Sequence, residues 1–182
     1  HMAALALSGK LGDASYVGLE SIGLPYALQN LAGSQLAIEN KDLAFHDYLD
    51  YQFSHREFPL HGGLTAGGMY HMPFWEAERL PEKAFDVILC TYVLDEIAPD
   101  DIVRLIEIID CSLAPGGVLY CRGSQERAQL SALYLYGYGT YHGHDITKAL
   151  RGRGLVAVES DMVTDTLTRI FMRNDAVSES AK

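Results

Sequence analysis

The run Phe85-Asp86-Val87-Ile88-Leu89-Cys90-Thr91-Tyr92-Val93-Leu94-Asp95-Glu96-Ile97 opens as an apolar strand. It closes on small and polar residues followed by a pair of carboxylates. Eighteen residues beyond Ile97, Pro115-Gly116-Gly117 introduces a second apolar run, Val118-Leu119-Tyr120-Cys121. Between the two, Ile102, Leu105, Ile106, Ile109 and Leu113 follow the spacing of an amphipathic helix. Pro99 and Asp100-Asp101 mark its start, where carboxylates favour the positive end of the helix dipole. Strand, helix, tight turn and strand in that order make a right-handed crossover in a parallel sheet. The chain is therefore expected to be α/β, a Rossmann-like, mostly parallel sheet flanked by helices. In open sheets of this kind ligands sit beyond the carboxyl ends of the strands, and Thr91 to Glu96 occupy such an end.

Upstream, Ala3 to Leu11 has helical composition and stops at Gly12-Asp13. Tyr16-Val17-Gly18-Leu19-Glu20 reads as a short strand ending in an acid, and Leu24-Pro25 as the first turn of a helix to about Leu31. Further helix is expected over Gln35 to Lys41, then a strand over Leu43 to Asp47. Tyr51 to Lys83, with its Gly-Gly pairs, prolines, histidines and the only tryptophan, lacks clear periodicity and reads as irregular. Long segments of that kind are usually functional. Downstream, Ser124 to about Leu135 has helical spacing, Tyr136 to Gly143 is a Gly/Tyr loop, and Asp145 to Arg153 is a helix capped by Gly154. Leu155 to Val158 and Leu167 to Met172 are expected to close the sheet as an antiparallel pair.

Nearly half of the 182 residues are apolar, enough for one compact domain over residues 3–174. His1-Met2 reads as a cloning remnant, and residues 175–182 as a polar tail. No apolar stretch has the length of a membrane span, and no signal peptide is visible. A net charge of −10 argues against a nucleic-acid partner, which needs a basic face. Cys90, Cys111 and Cys121 form no close pair, which favours a reduced, cytoplasmic setting.

Taken in order, these segments resemble a class I S-adenosylmethionine-dependent methyltransferase. Tyr16 to Glu20 is similar to the family's second strand, whose terminal acid holds the cofactor ribose. Asp47 matches the acid after the third strand that contacts adenine. Phe85 to Cys90 with Val93-Leu94-Asp95-Glu96-Ile97 resembles the fourth strand and its turn. Leu113-Ala114-Pro115-Gly116-Gly117-Val118-Leu119 resembles the fifth, and Asp145 to Met172 the closing helix and strand pair. One element is missing from the resemblance. The family's first strand and its G-x-G-x-G loop have no counterpart, and Ser8-Gly9-Lys10-Leu11-Gly12 follows no apolar strand. The resemblance thus implies a chain that begins after the loop cradling the cofactor's methionine part. S-adenosylmethionine binding is then expected to be weak or absent. The exposed strand edge calls for a shifted strand order, or for a second copy or an upstream domain that completes the sheet.

The resemblance implies cofactor contacts at Glu20, Ser21, Asp47, Thr91 and Tyr92. A carboxylate such as Glu20 suits a ribose because it accepts from both vicinal hydroxyls. Asp47 also reads as a turn residue or helix cap. A hydroxyl acceptor needs a base within hydrogen-bond reach, for which Glu96, His142 and His144 are the candidates. His142-Gly143-His144-Asp145 lacks the further histidines of a zinc site, so no metal is expected. Tyr70-His71-Met72-Pro73-Phe74-Trp75 lines an acceptor pocket or clasps the irregular segment onto the sheet. No Asn-Pro-Pro-Tyr run follows the Phe85 strand, so amino methylation of nucleobases is not indicated. The favoured reading is O-methylation of a small molecule or saccharide. The rival is a methyltransferase-like scaffold without catalysis; a nucleotide-dependent oxidoreductase lacks its glycine fingerprint.

Overall fold

The computed structural model describes residues 14–20, 23–91, 99–124, 143–163 and 166–173. They fall into two compact units, one ending at Pro81 and one starting at Glu82. The expected helix at Ala3 to Leu11 lies outside the described residues, as do the expected helix and loop over Ser124 to Gly143 except for their end residues, of which Ser124 ends a strand and Gly143 opens a helix.

The first unit is built on three parallel strands. β1 (Tyr16–Glu20) leads into α1 (Gly23–Glu39), which returns to β2 (Ala44–Asp47). A short helix, α2 (Tyr48–Phe53), and a 3₁₀ turn over Pro59–Gly62 then lead to β3 (Gly68–Pro73). The strand order is β1-β3-β2, with β3 in the middle and parallel to both neighbours. Where the sequence reads as irregular, the structure therefore has a strand. The reason is burial: all six residues of β3 are buried. A strand covered on both faces shows a continuous run and not a two-residue alternation. On one face Met69 joins Leu36 and Leu43 beneath α1; on the other Tyr70 and Met72 pack with Tyr48, Phe58 and Leu60.

Two expected helical stretches are one continuous α1 of 17 residues. Gly33 lies within it where the helix comes closest to β2. A Cβ there would stand 2.2 Å from the Phe45 ring, so only glycine permits this approach.

The second unit contains the crossover. β4 (Phe85–Thr91), α3 (Pro99–Ser112) and β5 (Leu113–Ser124) follow one another, and β4 and β5 pair in parallel. The stripe Ile102, Leu105, Ile106 and Ile109 is buried, as its spacing requires. The pairing jumps from Phe85–Leu113 to Val87–Val118. The intervening Ala114 to Gly117 turns out of the ladder through Gly116, whose φ of +70° suits glycine. α4 (Gly143–Gly152) precedes β6 (Leu155–Val163) and β7 (Thr166–Arg173). β7 runs antiparallel between β5 and β6, giving the order β4-β5-β7-β6. The antiparallel closing pair and the α/β class stand as the sequence indicates. Arg173 locks the end of β7 to the end of α3, donating to the carbonyl of Asp110 at 2.5 Å and to its Oδ1 at 2.7 Å.

Among the described residues, no helix is long and apolar enough to cross a membrane.

Candidate functional site

In the first unit, the three strands run the same way and end together. Glu20 closes β1 and sits in register with Pro73 at the end of β3. Asp47 closes β2 beside His71, which in turn faces Gly18. Parallel neighbours in register project to the same face, so Glu20, His71 and Asp47 share one face of the sheet. α1 begins three residues after Glu20 and sends two polar side chains, Tyr26 and Gln29, to these acids.

Glu20 is half-buried at the strand end, and its Oε2 accepts a hydrogen bond of 2.9 Å from Gln29 Nε2. Asp47 is different. Its side chain has 0% of its surface exposed. Oδ1 accepts a 2.6 Å hydrogen bond from the Tyr26 hydroxyl, and Oδ2 accepts from the Asp50 amide at 3.3 Å, which caps α2. His71 Nδ1 approaches Oδ1 to 3.3 Å, while the ring stacks on Tyr26 with centroids 4.0 Å apart. That approach is close enough for ion pairing but is not aligned as a hydrogen bond. Neither ring nitrogen of His71 has a hydrogen-bond partner among the described residues.

Burial alone would raise the Asp47 carboxyl. The contacts from His71 and Tyr26 and the Asp50 amide outweigh it and hold the group below the usual carboxylate range. The Tyr26 phenol is pushed well above its ordinary value, first by burial and then by its hydrogen bond to Asp47 and the charge of that group. Both shifts favour the same state, an ionised carboxylate accepting a hydrogen bond from a neutral phenol.

Asp47, expected at adenine, is enclosed, with both carboxylate oxygens engaged within the unit. It ties the end of β2 to α1, to β3 and to α2, so its helix-cap reading is the one its geometry supports. Glu20 ends β1 half-buried, with Gln29 donating to its carboxylate. Of the remaining candidates, Thr91 ends β4 in the second unit, paired with Arg122, and His144 lies in the first turn of α4. Ser21, Tyr92, Glu96 and His142 lie outside the described residues. No group of three or more His, Cys, Asp or Glu among the described residues could hold a metal ion.

Tyr26, Gln29 and His71 complete the polar layer, and sequence reasoning gave none of them a role there. The available signal was Tyr26 and Gln29 at an i, i+3 spacing just after a strand ending in an acid. His46, on the opposite face, is part of the packing: its Nδ1 lies 2.8 Å from the Tyr51 hydroxyl and its ring stacks on Tyr70. Burial lowers its pKa.

No family model matches the sequence, and no curated protein matches it significantly. Solved structures do. An S-adenosylmethionine-dependent methyltransferase from Mesorhizobium loti superposes with a TM-score of 0.51 at 12% identity, over 93% of this chain and 96% of that one. PigF with SAH gives a TM-score of 0.53 at 14% identity, over 88% of this chain and 56% of PigF. The pyocyanin biosynthetic protein PhzM gives 0.51 at 9% identity, over 94% of this chain and 54% of PhzM. The chain thus matches the first nearly end to end and spans little more than half of the other two. At these identities the likeness establishes the fold, which is that of the class I methyltransferases.

Proposed function

We propose that this methyltransferase-fold chain binds S-adenosylmethionine at the carboxyl edge of β1 and transfers its methyl group to a hydroxyl of a small molecule or saccharide. The observation that carries the reading is Glu20: an acid at the end of a parallel strand, just ahead of a helix, in a fold shared with S-adenosylmethionine-dependent enzymes. The cofactor supplies an electrophilic methyl group on a sulfonium centre. Glu20 accepts from the vicinal ribose hydroxyls, and Gln29 fixes the carboxylate by holding one oxygen. Asp47 is a positioning residue. Through Tyr26 it anchors the first turns of α1, which sets where that helix begins relative to Glu20. Holding the acceptor in line supplies much of the acceleration in such a transfer. A hydroxyl acceptor needs a base, for which Glu96, His142 and His144 stand as the candidates. A small-molecule acceptor is supported by the likeness to PhzM, a pyocyanin biosynthetic protein.

Titration calorimetry with S-adenosylhomocysteine tests the reading. Binding in the micromolar range supports it, and Glu20→Ala is expected to weaken that binding at least about tenfold, or about 1.4 kcal/mol. No heat of binding from a chain extended upstream of Ala3 would favour the scaffold reading, and unchanged affinity in the Glu20→Ala variant would remove Glu20 from the site.

A further inference from the structure

α1 has two apolar faces. One, with Tyr26, Gly33 and Leu36, is buried against the first sheet. The other carries Leu24, Leu28, Leu31 and Ile38, exposed at 70%, 59%, 68% and 73%. With Gln35, also exposed, these residues are spaced alternately by four and three: 24, 28, 31, 35, 38. That is the a/d seam of a helix that packs along another helix, with a polar residue at one seam position. Small residues flank it, Ala27 and Ala32 among them. The helix carries a single charge, Glu39, in its last position.

We propose that this stripe is a docking surface for a second copy of the chain, with α1 packed antiparallel against α1 about a twofold axis through Leu31. The seam is self-complementary in this direction. Leu31 meets Leu31; Leu24 of each copy meets Ile38 of the other; Leu28 falls opposite Ser34, and Gln35, whose amide donates to Glu39 of its own helix, falls opposite Ala27. The same register sets Glu39 of one copy opposite Gly23 of the other, the first residue of the helix. A carboxylate is stabilised there by the positive end of the dipole. A parallel pairing would instead bring the two Glu39 carboxylates together. Closed twofold pairing uses one patch on both copies and leaves no open end. A 17-residue helix is about 25 Å long, so one helix per copy makes a small interface of the weak, transient kind.

Sedimentation equilibrium of the full chain from about 1 to about 200 μM reads the association directly. The expected result is a monomer–dimer equilibrium whose dissociation constant rises at least about tenfold in Leu31→Glu, where two like charges meet on the axis. Should that variant fail to fold, a mixing experiment decides. Leu24→Lys and Ile38→Glu each weaken self-association, and an equimolar mixture restores a heterodimer, because Lys on one copy faces Glu on the other. The proposal is overturned by a chain that stays monomeric throughout. It is equally overturned by a dimer indifferent to Leu31→Glu, or by a mixture that shows no rescue. A Leu31→Glu monomer that loses unfolding stability without any change in association would also overturn it, and would assign the stripe to a covering segment of the same chain such as residues 3–11.

Discussion

Replacing Tyr26 by Phe removes one oxygen and leaves the packing intact, so it probes the bond on which the polar layer turns, together with the Leu49 amide contact that the same oxygen accepts. The phenol donates at 2.6 Å to a carboxylate with no exposed surface. Hydrogen bonds to charged groups contribute about 1.5–3 kcal/mol, against about 0.5–1.5 kcal/mol for neutral pairs. In the variant, Asp47 Oδ1 keeps only the misaligned approach of His71 at 3.3 Å. A loss of about 2 kcal/mol at pH 7 follows, read as a lower urea midpoint with unchanged slope. The sign of the pH dependence is fixed by Asp47. Its carboxyl is held below the ordinary range, so its contribution is full above the unfolded value of about 3.9. That contribution fades as pH falls through the folded-state value. The gap between wild type and Tyr26→Phe therefore narrows to below about 1 kcal/mol once Asp47 is protonated in both. A gap under about 0.5 kcal/mol at pH 7, or one that stays constant on acidification, would refute the charged-bond account.

Other substitutions probe separate parts of the fold. Gly33→Ala would gain about 1 kcal/mol from helix propensity alone, yet its Cβ would meet the Phe45 ring at 2.2 Å. Overpacking of about 1–3 kcal/mol makes a lower melting temperature the expected result, and a higher one would show that the ring yields freely. Arg173→Ala breaks two donations to Asp110 from a side chain only 7% exposed, and should cost about 1.5–3 kcal/mol in chemical denaturation. Arg153→Ala, whose pairs with Glu107 and Asp110 lie nearer solvent, should change stability by less than about 1 kcal/mol.

The second unit was the more legible one in the sequence. Its helix stripe and the Pro115-Gly116-Gly117 turn are local signals, and each lies where spacing and turn chemistry put it. β3 was not legible for a physical reason: with both faces covered, Gly68 to Pro73 carries no alternation, and the glycines and proline at its ends read as loop. The site followed the same division. Glu20 and Asp47 could be singled out because each ends a strand. The Tyr26–Asp47 bond joins residues 21 apart, and the Asp47–His71 approach depends on β3 being a strand at all. Without that strand, Asp47 reads as a residue open to a ligand; with it, the carboxylate is enclosed.

Cofactor binding at β1 is read by amide hydrogen exchange of the chain with and without S-adenosylhomocysteine at saturating concentration. A cofactor site at the carboxyl edge of β1 predicts slowed exchange from Tyr16 through the first turns of α1, diminished in Glu20→Ala. Exchange in that segment that does not respond to the ligand, or protection confined to other parts of the chain, would contradict it.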